Sequence, residues 1–195
     1  MTRRWVDLLV AFSALFVSVV SLVVAMRMAD ANARMVSASS WPFLSYGPGT
    51  DSASGVRKIH MKVSNTGVGP AKIEAVELRW KGVAYPSNEE FLRACCGLDP
   101  KSKTTPDSDL LPNEVLPAGG RIEFLGLSEP ANPAVFAALQ QAMQSRDLQL
   151  NVCYCSIFDE CWKSDLTTLS LTPEPVKACT QPKVPFDQGL LSGKP

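Results

Sequence analysis

The sequence predicts a mainly β domain that follows one N-terminal transmembrane helix and is stapled by disulfides. Three observations predict it. Val6–Met26 is a continuous apolar run with one charge, Asp7, at its start. As a helix rising about 1.5 Å per residue, it is long enough to cross the roughly 30 Å hydrocarbon core of a bilayer. Beyond it, several short stretches place apolar residues at every second position, and fifteen prolines against twelve glycines suit a loop-rich β fold better than a helical bundle. Finally, six cysteines stand at 95, 96, 153, 155, 161 and 179, an even count of the kind exported domains pair into disulfides.

Charge excludes one class of partner. Lys+Arg and Asp+Glu balance at 19 each, so no basic field points to nucleic acid. With anchor and stalk set aside, about 155 residues remain, an ordinary size for one domain. The expected organisation is a transmembrane helix and stalk over 1–38, a β-sandwich over 39–172, and a proline-rich tail over 173–195 pinned by Cys179.

Met1-Thr2-Arg3-Arg4 is a short basic lead to the apolar run. A cleavable signal peptide offers a similar start, with Ala29-Asp30-Ala31 as its cleavage site. The apolar run exceeds the roughly 7–15 residues of a signal core, however, and Arg27 intervenes, which favours a retained anchor. Arg3 and Arg4 before the span nearly balance Arg27 and Arg34 after it, so orientation rests on the cysteines: N-terminus cytoplasmic, C-terminal domain periplasmic, in a bacterial inner membrane. Within the span, Ala11, Ala14, Ser18, Ser21 and Ala25 recur at alternating spacings of three and four. That is one seam of a helix, of the small-residue kind that lets helices approach closely in lipid. The alternative is a plain anchor in which Ala and Ser are merely tolerated. Arg27–Ala38 lacks helix breakers and extends the helix as a stalk.

Trp41–Tyr46 reads as a first strand with Pro42 marking an edge, and Gly47–Gly55 as a flexible connection. Val56–Asn65 alternates, with Ile59, Met61 and Val63 on one face and Lys58, His60 and Lys62 on the other. A turn cluster, Asn65–Ala71, leads to a strand over Lys72–Trp80, and Lys81-Gly82 makes a tight turn. Ser87-Asn88-Glu89-Glu90 fits a capping box opening a helix to Cys95-Cys96. Asp99–Asn113 is a polar loop, Val115–Gly120 a turn, and Arg121–Leu127 a strand. Asn132 with Pro133 starts a second helix to about Ser145. Leu148–Ile157 and Cys161–Leu166 form a hairpin, and beyond Thr172 the chain reads as irregular.

The stretch NTGVGPAKIEAVELRWKG, followed downstream by VLPAGGRIEFL, resembles immunoglobulin-like β-sandwich domains of bacterial envelope proteins over roughly residues 56–127. CYCSIFDECW is similar to the ending of small single-pass bacterial membrane proteins. The resemblance implies an immunoglobulin-like sandwich with two short helices, and it brings no catalytic residues. The antibody-type pair of inter-sheet cysteines with a Trp between them is absent.

Leu148, Leu150, Val152 and Tyr154 alternate onto the core side of their strand, which leaves Gln149, Asn151, Cys153 and Cys155 outside. The disulfides therefore pin elements onto the outer face of the hairpin: the helix end at Cys95-Cys96 and the tail at Cys179, with Cys155 opposite Cys161. Two rivals use the same thiols. A metal site lacks a C-x-x-C and has only one histidine, His60, on another strand. Thiol–disulfide exchange through Cys95/Cys96 or Cys153/Cys155 needs a lowered thiol pKa, and Cys95-Cys96 end a helix at the unfavourable pole of its dipole.

Gly67-Val68-Gly69 precedes Pro70 rather than a helix, and G-x-S-x-G, H-E-x-x-H and the phosphate loop are absent from the sequence. His60 reads as a surface strand residue, Trp80 and Trp162 as packing residues. The expectation is a membrane-anchored interaction module of the bacterial envelope, a subunit or accessory factor without catalysis or cofactor of its own. Its expected partners are the bilayer and, through the helix, a second protein or a second copy.

Overall fold

A computed structural model describes residues 2–53, 55–102, 106–168 and 172–187. The chain divides into two compact units, Met1–Ser39 and Ser40–Pro195. The first is a single helix, α1 (Thr2–Ser39), which continues through the expected stalk without a break. It is long and apolar enough to cross a membrane, and none of its most apolar window is buried.

The second unit is rich in strands: β1 (Leu44–Ala53), β2 (Val56–Asn65), β3 (Ala71–Trp80), β4 (Val83–Tyr85), β5 (Val115–Leu116), β6 (Arg121–Ser128), β7 (Leu148–Cys155), β8 (Cys161–Asp165) and β9 (Glu174–Val176). Two short helices interrupt them, α2 (Asn88–Cys96) and α3 (Pro133–Gln144). Among the described residues helix and strand each reach about 34%, because α1 adds 38 helical residues to the two short helices of the domain. The strands form two antiparallel sheets, ordered β1-β2-β6 and β4-β3-β7-β8-β9, with β5 sharing the outer edge of β3. Both sheets contribute to one core, in which Ile59, Met61 and Val63 of β2 join Leu78 of β3 and Leu150 and Val152 of β7.

Two bulges reconcile the sequence pattern with that core. The register slips between Ile73 and Ala75 in β3, and at Phe124 between Leu125 and Glu123 in β6. Each extra residue shifts the inward phase by one, so Ala75-Val76 and Phe124-Leu125 are buried as adjacent pairs. Between β3 and β4, Lys81 and Gly82 both take positive φ (50° and 79°), the two-residue turn that matches hairpin twist. Ser87 caps α2, its Oγ accepting from Glu90 N at 3.3 Å, and Asn132 caps α3, its Oδ1 accepting from Val135 N at 3.2 Å. Phe91 and Leu92 of α2 and Phe136 and Leu139 of α3 are fully buried in the core.

The Gly/Pro-rich stretch 47–55 departs from its expected role as a flexible connection. β1 runs through it and pairs with β2 residue for residue, from Leu44↔Asn65 to Ala53↔Val56. Partner pairing overrides local composition here, and the edge position tolerates Pro48, whose missing N–H costs no inner ladder bond. The strand begins at Leu44 rather than Trp41.

Trp41–Phe43 serves a different purpose. The NTGVGP loop clamps this segment where the chain enters the domain. Asn65 is fully buried, and its Oδ1 accepts from Phe43 N (3.2 Å) and Gly67 N (3.0 Å). Its Nδ2 donates to Gly69 O (2.7 Å) and Leu116 O (3.0 Å). A side chain at Gly67 would overlap the backbone of Trp41–Phe43, and one at Gly69 the backbone of Ser40; only glycine lets the two segments lie this close.

The tail also departs from expectation. Instead of running irregularly, it adds β9 to the edge of β8, with Val176 opposite Cys161. It then crosses the outer face of the sheet. Cys179 is bonded to Cys153 on β7, and Gln181 Nε2 donates to Glu74 O at the β3 bulge (2.8 Å). At the far edge of β3, Phe186 N donates to Val76 O at 2.9 Å. There β4 and β5 pair only with the two ends of β3, and Phe186 is fully buried, edge-on to Phe124 at 6.1 Å. The tail is a strap from one edge of the sheet to the other.

Candidate functional site

The chemistry-bearing residues gather on the outer face of the larger sheet. Strand alternation turns Cys153 and Cys155 of β7 outward. Cys155 stands directly across from Cys161 of β8 and is bonded to it, while the strap brings Cys179 to Cys153. The two bridges touch: Cys155 Sγ lies 3.8 Å from Cys179 Sγ. The sulfurs of Cys155, Cys161 and Cys179 all fall within 4.8 Å of one another. Strap and hairpin cover the β7 sulfurs, leaving Cys153 at 7% and Cys155 at 1% exposure.

Two lysines share this face. Lys72 stands opposite Cys155 and Lys163 opposite Cys153 in the strand register. Lys72 also pairs with Asp159 at the hairpin tip, and that hydrogen bond holds its ammonium above the ordinary lysine range. Beneath the strap remains a space of about 130 Å³ bordered by Glu77, Asn151, Lys163 and Gln181. Glu77 is held by Arg79 (Nε to Oε2, 2.7 Å).

Cys95 and Cys96 are placed differently from expectation. They are bonded to each other at the C-terminal end of α2, so the helix end is not stapled to the β7–β8 hairpin. Cys96 packs into the core and Gly97 ends the helix in the left-handed conformation (φ 70°).

The helix seam is exposed: Ala11, Ala14, Ser18, Ser21 and Ala25 are all solvent-accessible. Ser18 Oγ donates to Ala14 O at 2.8 Å. With its hydroxyl bonded inside its own helix, Ser18 presents a small surface rather than an unmet donor.

Two further features belong to the domain surface. Trp41, Val68, Val115, Ile157 and Phe158 are each at least 40% exposed. They ring the end at which the chain enters: Val68 N donates to Trp41 O (3.0 Å), Val115 stands opposite Lys72, and the hairpin tip pairs with Lys72 through Asp159. The second feature is a cleft of about 770 Å³ beside β1, lined by Phe43, Tyr46, Met143, Leu148 and Leu166 among others. The Tyr46 hydroxyl is buried with no hydrogen-bond partner among the described residues, and burial pushes its phenol well above the ordinary range. Across the core, burial pushes the Tyr154 phenol up to about 12, opposed by a hydrogen bond from the Leu44 backbone.

His60 packs over Gly49 on the outer face of the small sheet, its Nδ1 3.1 Å from Asp51, and belongs to a different face from the cysteines. Sequence reasoning placed Cys155 against Cys161 but missed the meeting of the two bridges. That meeting depends on the path of the strap, for which the tail carries no periodic signal. Neither a protein-family model, nor a curated protein, nor a solved structure matches this chain.

Proposed function

We propose that this protein is a membrane-anchored interaction module of the bacterial envelope, a subunit or accessory factor without catalysis of its own. The observation that carries the reading is the wholly exposed apolar helix. An apolar span with none of its window buried finds its cover in lipid or another protein, and the seam gives it a face on which a second helix fits. The partner is another copy or a different protein.

The domain is read as an immunoglobulin-like sandwich in the periplasm. Strand order supports the fold: β1-β2-β6 and β4-β3-β7-β8 follow the A-B-E and C′-C-F-G arrangement. The disulfides support an oxidising compartment, and the exposed apolar end of the domain offers a second contact surface. Thiol–disulfide exchange is the weaker reading, because the β7 sulfurs lie buried and Cys95-Cys96 end α2 at its negative pole.

Topology is tested by fusion at the C-terminus. Alkaline phosphatase fused there is expected to be active and green fluorescent protein dark; the reverse pattern overturns both compartment and orientation. The seam is tested in a membrane self-association reporter and by co-purification of captured partners. Ala14→Leu or Ser18→Leu is expected to lower association at least about fivefold while insertion persists, since each change only makes the span more apolar. Val17→Leu and Leu22→Ala, off the seam, are expected to leave it unchanged. Equal effects on and off the seam reduce α1 to a plain anchor.

A further inference from the structure

The exposed face of α1 does not stop where the apolar run stops. We propose that a second copy of this chain covers it, as a parallel two-stranded coiled coil running from the span into the stalk. This inference rests on the interaction reading above and names the partner of the helix.

Continuity of the helix is the first ground. α1 passes through Met26 and on to Ser39 without a break, so span and stalk keep one phase. The alternating spacing of three and four therefore carries on from Ala25 to Met28, Asn32, Met35 and Ser39. A repeat of about 3.5 residues held over this length belongs to a left-handed supercoil. At about 1.5 Å per residue, Arg27–Ser39 reaches roughly 20 Å beyond the apolar run. There the small residues of the seam give way to Met28 and Met35, which are 64% and 65% exposed. Large apolar side chains aligned on one face outside the lipid mark a contact with protein.

Charge is distributed to match. Arg27, Asp30 and Arg34, the charged residues of the stalk, all lie on the far side of the helix, at the c and f positions of the repeat. The positions flanking the stripe, Ala29, Ala31, Val36 and Ala38, are uncharged. Two identical helices therefore meet here with no like charges in apposition. Toward the N-terminus the same stripe reaches Asp7 and then Arg4. These have opposite signs and lie one turn apart, so two parallel, level copies bring each Arg4 near the partner's Asp7.

Asn32 selects the occupant. Copies anchored by the same span in one bilayer are parallel and level, so each residue of the stripe meets its own counterpart. A carboxamide is self-complementary, donating through Nδ2 and accepting through Oδ1. A lone Asn at an a position of a coiled coil fixes register and oligomer state at a cost in stability. A second copy supplies both the matched depth and the matching amide; an unrelated helix is bound to supply neither.

The test is cysteine cross-linking of the full chain in the membrane of the cell that expresses it. The six native cysteines are paired with one another, so one introduced cysteine is the only free thiol. A short bismaleimide is the probe, because it joins two thiols without disturbing the bridges. Met28→Cys and Met35→Cys are expected to form covalent dimers at least about fivefold faster than Ala33→Cys and Ser37→Cys on the far side. Added to Met35→Cys, Asn32→Asp is expected to slow the reaction at least about fivefold, since two carboxylates then face each other. Asn32→Leu in the same background is expected to leave it at least as fast, since an apolar residue packs well in this layer. Equal rates on both sides of the helix, a rate that Asn32→Asp leaves unchanged, or no dimer at all overturns the proposal. If Ala14→Leu then still lowers capture of a different protein, the interaction reading stands and only the second copy falls. A flat response in both experiments removes the two together.

Discussion

Phe186→Ala is expected to lower the stability of the domain by about 4 kcal/mol, in the range for deleting a fully buried aromatic side chain. The side chain has zero exposure and stands edge-on to Phe124 between the sheets. Its amide also satisfies Val76 O at the one stretch of the β3 edge that β4 and β5 leave uncovered. Truncation empties that slot, and surrounding side chains anchored on two sheets cannot collapse into it. Phe186→Leu is expected to cost about 1.5 kcal/mol, since most of the volume remains. Lys183→Ala, exposed on the same strap, is expected to stay within about 0.5 kcal/mol. Denaturant titration of the full chain in micelles, followed by tryptophan fluorescence, measures all three. Parent-like stability in Phe186→Ala would mean that the strap rests on the sheet without sealing it.

Asn65→Ala is expected to cost about as much, on the order of 4 kcal/mol, for a different reason. Little volume is lost, but the amides of Phe43 and Gly67 and the carbonyls of Gly69 and Leu116 lose a shared partner at a buried site. Each group left unsatisfied costs about 1–3 kcal/mol, reduced where water reaches it. Asn65→Asp separates the two halves of the network: it keeps the acceptor and replaces the donor with a buried carboxylate facing two carbonyls. Burial raises that carboxyl's folded-state pKa above its unfolded value, so stability falls as pH rises through that window. The aspartate variant is therefore expected to lose less stability in acid than at neutral pH, while the alanine variant shows no such dependence on pH. Identical pH profiles for the two would count against the hydrogen-bond assignment.

Elements whose cause is local were legible in the sequence. β2 follows from Ile59, Met61 and Val63, α2 from Ser87, α3 from Asn132-Pro133, and the Cys155–Cys161 opposition from strand alternation and a short hairpin. What was hidden depends on partners distant in the chain. β1 is a strand because β2 lies beside it, not because GPGTDSASG favours extension. Asn65 and the glycines after it looked like turn chemistry, and turn chemistry is what they share with many loops. Their contacts with Ser40–Phe43 and Leu116 exist only once three segments have met. Phe186 is a lone aromatic in a proline-rich run, so no periodicity marked it as core. The contact between the two bridges was hidden for the same reason, since only the path of the strap brings Cys179 beside Cys155.

The path of the strap also orders events in time. A chain made from its N-terminus presents every strand of both sheets before residue 186 exists, so the interior of the larger sheet stays open at the β3 edge until synthesis has passed that point. Contacts between Val76 and Phe186 close a loop that includes most of the domain, and long loops of this kind form late. Until then Phe124 and its neighbours are reachable by other molecules. A newly made chain has a window in which chaperones, or a second copy in the wrong register, compete with its own last residues for one slot.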